Sequence, residues 1–150
     1  MKTETSTTVN ALIIINNDRY EGYKKAASET EETDLKTLFT EFSIQSKDFA
    51  DELRKFVSLD EQPEENETTN SGKLYRVWMD VKAGISGKDR KAILSSCEFG
   101  EDFAKKTYDE VMEQLADLPP GSEEIIKRQR VQLQRSHDTI KELRDSGIKE

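Results

Sequence analysis

The sequence predicts an all-α protein, a four-helix bundle with a long connection between its second and third helices. Three observations support this prediction. Apolar residues recur at 3.6-residue spacing in four long segments, as on one face of a helix. No segment shows the alternation of apolar and polar residues that is typical of a half-buried strand. The prolines Pro63, Pro119 and Pro120 all lie between the periodic segments, where they interrupt no helix.

The first two helices are predicted over about residues 6–28 and 34–59. The first has Asn16 on its apolar face, together with Val9, Leu12, Ile13, Tyr20, Tyr23 and Ala27. The second begins at Asp34, an expected N-cap, and has Gln45 in the middle of its apolar face. That face consists of Leu35, Leu38, Phe39, Phe42, Phe49, Leu53 and Phe56.

The middle connection is expected to contain its own short helix. An acidic stretch without periodicity covers residues 60–72 and reads as a solvated loop. From Lys73 to Gly84 the apolar residues return at helical spacing, as Leu74, Val77, Trp78 and Val81. Trp78 and its apolar neighbours are expected either to cap the bundle or to form a contact in a homo-oligomer.

The last two helices are predicted from about Lys88 to Leu115 and from Ser122 to Gly147. Ser122 is the expected N-cap of the fourth helix, and Gly147 is expected to end it. Cys97 lies on the apolar face of the third helix and is expected to be a small core residue. The remaining stripe residues are Ile93, Leu94, Ala104, Tyr108, Val111, Met112 and Leu115, followed by Ile126, Leu133, Ile140 and Leu143.

The lengths of the connections predict the order of the helices in space. Short connections make helices 1 and 2, and helices 3 and 4, antiparallel hairpins. The middle connection is long enough to cross the bundle from end to end, and one such crossover is the ferritin-like connectivity. We expect a single domain over residues 1–150, with frayed ends at 1–5 and 146–150.

Composition and charge exclude several classes of protein. The chain has 31 acidic and 23 basic side chains, and its net charge of −8 argues against nucleic-acid and anionic-membrane partners. The sequence contains no run of 18 apolar residues, so no membrane span is predicted. The single cysteine cannot form an internal disulfide, which fits a cytoplasmic location.

Each apolar stripe contains polar residues at positions where a plain bundle would place leucine. Near the middle of the four helices these are Asn16, Tyr20, Gln45, Glu101 and Gln129. Since buried polar groups need partners, we expect a hydrogen-bonded layer that fixes the helix register. Two other interpretations stay open at this point: a single bound metal ion, and an unidentified small polar ligand.

Several stretches resemble a bacterial ferritin-like four-helix-bundle family of unknown function. They are Ile15–Tyr23 (INNDRYEGY), Phe42–Ala50 (FSIQSKDFA), Arg76–Asp80 (RVWMD), Cys97–Asp102 (CEFGED) and Ser136-His137-Asp138. The resemblance covers nearly the whole chain after about Val9. It implies the same fold and a bacterial cytoplasmic setting, and it implies no particular activity.

Ferritin-like proteins with di-iron sites use one Glu from each of two helices and a Glu-x-x-His pair from each of the other two. By this resemblance, Glu21 and Glu101 match the single glutamates, and Gln134 and His137 match the last pair. The stretch from Gln45 to Asp48 offers neither glutamate nor histidine, and the chain has one histidine. We therefore predict no di-iron cofactor. The alternative is one divalent ion, Fe, Mn or Zn, at Glu21, Glu101, Gln134 and His137.

Two functional hypotheses follow. The first is a non-catalytic bundle, a stress-associated scaffold or a small binding protein, with the stress link resting on analogy of fold. The alternative is a ferritin-like metal-binding protein or oxidoreductase with a degenerate carboxylate and histidine site. No catalytic residues are predicted, because no nucleophile, base and carboxylate share a recognisable pattern.

Overall fold

The computed structural model describes residues 4–65, 67 and 90–146. They form four long α-helices: α1, Glu4–Glu29; α2, Thr33–Arg54; α3, Arg90–Met112; and α4, Ser122–Ser146. No strand occurs in these ranges, so the predicted all-α four-helix class is confirmed for the described part of the chain. None of the helices described is long and apolar enough to cross a membrane.

The boundaries of α2 differ from the predicted ones. The helix ends at Arg54 because the amides of the next residues bond to carbonyls three positions back. A 3₁₀ turn follows at Leu59–Glu61, inside the expected acidic loop. Glu32, with φ −92° and ψ 123°, is the N-cap, and its side chain makes no capping hydrogen bond. The prediction of Asp34 as N-cap is wrong, because Asp34 is the second residue of α2; its carboxylate accepts hydrogen bonds from Arg90.

Helix α3 ends at Met112, and the 3₁₀ turn Leu115–Asp117 replaces its predicted last turn. Gly121 has φ 85°, a conformation that favours glycine, and it precedes α4 directly. Ser122 is inside the first turn of α4, and its hydroxyl donates to the carbonyl of Pro119 instead of capping the helix.

Some predicted features fall at the ends and in the middle of the chain. Helical structure extends into both stretches expected to fray, since Glu4 and Thr5 belong to α1 and Ser146 to α4. The predicted helix from Lys73 to Gly84, with Trp78, lies outside the described residues. The same holds for Gly147, the predicted end of the fourth helix.

Contacts between helix ends establish the order of the bundle. Helix α1 packs against α2 and α3, α4 packs against α3, and α2 and α4 make sparser contact. Arg90, at the start of α3, pairs with Glu32 and Asp34 at the start of α2. Helices α2 and α3 therefore begin at the same end of the bundle.

Two apolar clusters fill the core at different heights. One cluster surrounds Leu12 and Leu53, and the other surrounds Tyr23 and Phe39. The thiol of Cys97 is fully buried in the second cluster, as expected. Between the two clusters the helices carry polar side chains inward, and these side chains position the candidate site.

Candidate functional site

A buried ion pair joins α1 to α3 between the two apolar clusters. Nε and Nη2 of Arg19 each donate a hydrogen bond of 2.8 Å to a different carboxylate oxygen of Glu101. The side chains are 1% and 0% exposed. Nη1 of Arg19 donates to the hydroxyl of Ser46 on α2 at 2.7 Å. This two-bond geometry is the strong, directional form of an arginine–carboxylate contact.

Tyr23 completes the environment of this ion pair. Its hydroxyl donates to Oε2 of Glu101 at 2.5 Å, and the Arg19 guanidinium lies 5.3 Å from the centre of its ring. Burial, together with the charge of Glu101, raises the pKa of Tyr23 well above the usual value. Burial acts to lower the pKa of Arg19, but Glu101 outweighs this and raises it. The folded protein therefore holds a charged guanidinium and a neutral phenol.

A second hydrogen-bonded chain crosses the bundle one to two turns away. Nδ2 of Asn16 donates to the hydroxyl of Tyr108 at 2.7 Å, and this hydroxyl donates to Oε1 of Gln129 at 2.6 Å. Nε2 of Gln129 donates to the carbonyl of Phe49 at 3.2 Å and to Glu52 at 2.9 Å. This chain links all four helices, and burial raises the pKa of Tyr108.

The structure brings three of the five predicted layer residues into the core. Asn16, Glu101 and Gln129 are at most 1% exposed. Tyr20 is only partly buried, and its ring contacts the ammonium group of Lys24 at 5.5 Å. Gln45 lies between α2 and α4, where it bonds to Gln132 and Ser136. Tyr20 and Gln45 are thus less buried than the other three residues, and their contacts differ from those of the two buried hydrogen-bonded groups.

The partial burial of Tyr20 follows from the phase of the helix. Successive helical residues point about 100° apart, so a stripe through Asn16 and Tyr23 can continue at either of two adjacent positions. The structure places Arg19 inside and Tyr20 outside. Arg19 and Ser46 are residues of the buried ion-pair group that the sequence did not predict. The available signal was the position of Arg19, three residues after Asn16 and four before Tyr23.

The residues predicted to bind a metal do not meet. Both carboxylate oxygens of Glu101 accept hydrogen bonds from Arg19 and Tyr23, and the guanidinium charge disfavours a second cation there. Glu21 points about 200° away from Arg19 and lines an outer pocket. Gln134 bonds to Arg130 and Asp138. The predicted set of Glu21, Glu101, Gln134 and His137 is therefore corrected.

His137 instead meets two carboxylates at the surface between α3 and α4. Its Nε2 lies 2.8 Å from Oδ1 of Asp102 and 3.6 Å from Oε2 of Glu98. Glu98 and Asp102 are four residues apart, so they share one face of α3. One potential ligand atom from each of the three residues lies within 4.8 Å of the others. We name these residues, Glu98, Asp102 and His137, the surface cluster.

Neighbouring side chains form hydrogen bonds and ion pairs with residues of the surface cluster. Nδ1 of His137 lies 3.3 Å from Oδ1 of Asp138, and Nε2 of Gln134 donates to the same oxygen at 3.0 Å. These hydrogen bonds, that of Gln134 first, lower the pKa of Asp138. On the other side, Nη1 of Arg144 donates to Oε1 of Glu98. One carboxylate oxygen of Glu98 is therefore already paired with the guanidinium of Arg144.

The spacing of the surface cluster suits a small divalent ion. Ligands at about 2.0–2.2 Å from a tetrahedral Zn²⁺ lie roughly 3.3 Å from one another. The two distances from Nε2 of His137, 2.8 and 3.6 Å, bracket that value. A histidine whose second ring nitrogen faces a carboxylate, as Nδ1 faces Asp138, is the usual arrangement for a metal ligand.

Comparison with known proteins identifies one family. A family model described as "Domain of unknown function (DUF2383)" matches residues 4–114. No curated protein and no solved structure matches the chain. The matched range contains α1, α2, α3 and the buried ion pair, whereas His137 on α4 lies beyond it.

Proposed function

The chain belongs to that family of unknown function, and we propose that it is a non-catalytic helical bundle that binds one divalent cation between α3 and α4. The convergence of Nε2 of His137 with the carboxylates of Glu98 and Asp102 is the observation that carries this proposal. Three protein ligands leave one position of a tetrahedral ion open to water. We further propose a cytoplasmic location, which the lone thiol of Cys97 supports.

The chemistry of the ligands limits the choice of ion. One imidazole and two carboxylates suit Zn²⁺, Mn²⁺ or Fe²⁺ better than the all-oxygen preference of Ca²⁺ or Mg²⁺. The side chains of His137 and Glu98 are 11% and 14% exposed, whereas Asp102 is 56% exposed. A half-open site of this kind exchanges its ion with solvent. Binding, storage or sensing of a cation follows more directly from it than catalysis does.

The buried layer supports the non-catalytic part of the proposal. Arg19, Ser46 and Tyr23 fill the interior at the height where a ferritin-like bundle would hold its metal ligands. Their polar groups bond to one another or to Glu101, so these side chains are engaged in the structure of the interior. Its role is to fix which faces of the helices meet, as buried polar residues do in other helical assemblies.

Calorimetric titration of the purified full chain with Zn²⁺ tests the proposal. We expect one ion per chain, and an affinity at least about tenfold lower in His137→Ala and in Asp102→Asn. Asp109→Asn is the matched control, because Asp109 is also an exposed α3 carboxylate paired across to α4 through Arg130. Equal Zn²⁺ affinity in the wild type and His137→Ala would overturn the proposal.

A scaffold or small binding protein without a cation is the second candidate. The closed polar layer favours it, because a rigid interior leaves the outer helix faces as the functional surfaces. Thermal unfolding with and without Zn²⁺ distinguishes the cation-binding bundle from the scaffold. A cation bound only by the folded state raises its stability, by about 2.7 kcal/mol at a hundredfold excess over Kd. The scaffold hypothesis expects no change in the midpoint of thermal unfolding on addition of Zn²⁺.

A further inference from the structure

An open groove separates α2 from α4 on the side of the bundle away from α1 and α3. Its two adjoining sections have volumes of about 550 and 170 Å³ and share Gln45 and Gln132. Two of the hydrogen bonds that cross the floor of the groove are long. Nε2 of Gln45 donates to Gln132 at 3.3 Å, and the hydroxyl of Ser136 donates to Gln45 at 3.3 Å.

The rims of this groove carry opposite charges. On the α2 side the charged lining residues are Glu41, Asp48 and Glu52, all acidic. On the α4 side they are Arg128 and Arg135, both basic. Glu52 and Arg128 pair across the groove at 2.6 Å. The remaining three side chains have no ion-pair partner among the residues that the structure describes.

Apolar surface accompanies these charges. Ile44 on α2 is 54% exposed, and Val131 on α4 is 52% exposed. Exposed apolar side chains rimmed by charged ones are typical of surfaces that bind a partner. A partner that fits this face has to present a basic edge to α2, an acidic edge to α4 and an apolar centre to both.

A second copy of the same chain meets all three requirements. Helices α2 and α4 run antiparallel, since Gln129 reaches Phe49 and Ser136 reaches Gln45. Along the bundle, Asp48 therefore lies within about one turn of Arg128, and Glu41 within about one turn of Arg135. A two-fold axis parallel to the helices keeps these heights and lays α2 of each copy on α4 of the other.

The charges also select this axis over the alternative. A two-fold axis perpendicular to the helices would lay α2 on α2 and bring Glu41 and Asp48 towards their own copies. Like charges that face each other cost several kcal/mol, so that arrangement is disfavoured. The parallel axis instead gives an isologous interface, in which each pair of residues occurs twice.

We propose that this face, from Glu41 to Glu52 on α2 and from Arg128 to Thr139 on α4, is a homodimer interface. Glu41 and Asp48 pair with Arg135 and Arg128 of the second copy, and α4 of that copy covers Ile44. The interface contains none of the residues of the surface cluster, so this proposal can be tested independently of cation binding.

Sedimentation equilibrium of the full chain between about 1 and 100 μM tests this interface. We expect a dimer in the wild type and at least a tenfold weaker one in Arg135→Glu, because an acidic side chain would then face Glu41 at each of the two symmetry-related pairings. The double variant Glu41→Arg/Arg135→Glu exchanges the rim charges, and we expect it to recover the dimer. Lys141→Glu is the matched control, with the same charge change outside the groove.

Circular dichroism of each variant separates loss of dimer from loss of fold. A wild type that stays monomeric throughout the concentration range would overturn the proposal. So would a dimer that Arg135→Glu leaves intact, because the interface would then lie elsewhere. Failure of the charge exchange to recover a dimer, with both variants helical, would show that α2 does not face α4 of the partner.

Discussion

Tyr23 donates a hydrogen bond to Oε2 of Glu101, the same oxygen that accepts Nη2 of Arg19. A buried carboxylate thus receives three hydrogen bonds, two of them from its counter-ion. In the interior such groups are stable only with their full set of partners, because a single missing donor leaves a buried charge uncompensated. The central layer of the bundle is therefore sensitive to single substitutions and more tolerant of paired ones.

Arg19→Met tests this coupling. The substitution removes the counter-ion and leaves the Glu101 carboxylate buried, and we expect the free energy of unfolding to fall by about 3–5 kcal/mol. The double variant Arg19→Met/Glu101→Leu removes both charges, and we expect it to be more stable than the single one by about 2 kcal/mol. Urea denaturation followed by circular dichroism measures both values. Costs that simply add would show that the two side chains are not coupled.

The free energy of unfolding at alkaline pH should depend on the ionisation of the two buried phenols, Tyr23 and Tyr108. The pKa values of Tyr23 and Tyr108 are raised on folding, so their contribution is fully present below the unfolded pKa of about 10. It is lost as the pH rises beyond that value, by up to about 1.4 kcal/mol per pH unit for each phenol. Urea denaturation at pH 8 and above pH 10 measures the loss.

Tyr108→Phe provides the comparison. This variant is less stable at pH 8, because Asn16 and Gln129 lose a partner, but its stability should fall less steeply above pH 10. A slope equal to that of the wild type would show that Tyr108 ionises without unfolding.

The fold could be predicted from sequence because it depends on spacing alone. Four stripes at helical period, with prolines after the second and the third of them, define the number and order of the helices without knowledge of their neighbours. The end of α2 at Arg54 was missed because the closing 3₁₀ bonds leave no periodic signal. From the sequence alone Asp34 has the features of an N-cap. In the structure its carboxylate accepts a hydrogen bond from Arg90, which is far along the chain.

The candidate site was harder to predict because it depends on which faces of different helices meet. Glu98 and Asp102 share a face of α3 by their spacing, but nothing in the sequence indicates that this face meets His137. The resemblance to di-iron proteins directed attention to Glu101, which is one helical position from Asp102 and points into the core. A single step along α3 separates Glu101, in the buried ion pair, from Asp102, in the surface cluster.

Asp34→Asn tests the contact that joins the start of α3 to the start of α2. Hydrogen bonding to Arg90 lowers the pKa of Asp34, so its stabilising effect is present above the unfolded pKa of about 3.9 and is lost as the pH falls through the folded value. Asp34 is largely exposed, and we expect the variant to lose less than about 1 kcal/mol at pH 7. Urea denaturation at pH 7 and pH 3 measures this loss, which should shrink at the lower pH. A loss that grows at pH 3 would contradict the assignment.

Arg144→Gln should strengthen cation binding at the surface cluster. Arg144 occupies Oε1 of Glu98 and places a positive charge beside the proposed ion, so binding has to displace or tolerate it. Since a partly exposed ion pair is worth about 0.2–1 kcal/mol, we expect the Zn²⁺ affinity to rise by up to about fivefold. Arg130→Gln is the control, because it removes the same charge from α4 at the Asp109 pair and leaves Glu98 unchanged. Calorimetric titration that finds equal affinities in Arg144→Gln and Arg130→Gln would mean that Glu98 is not a ligand. His137 and Asp102 alone would then have to hold the ion.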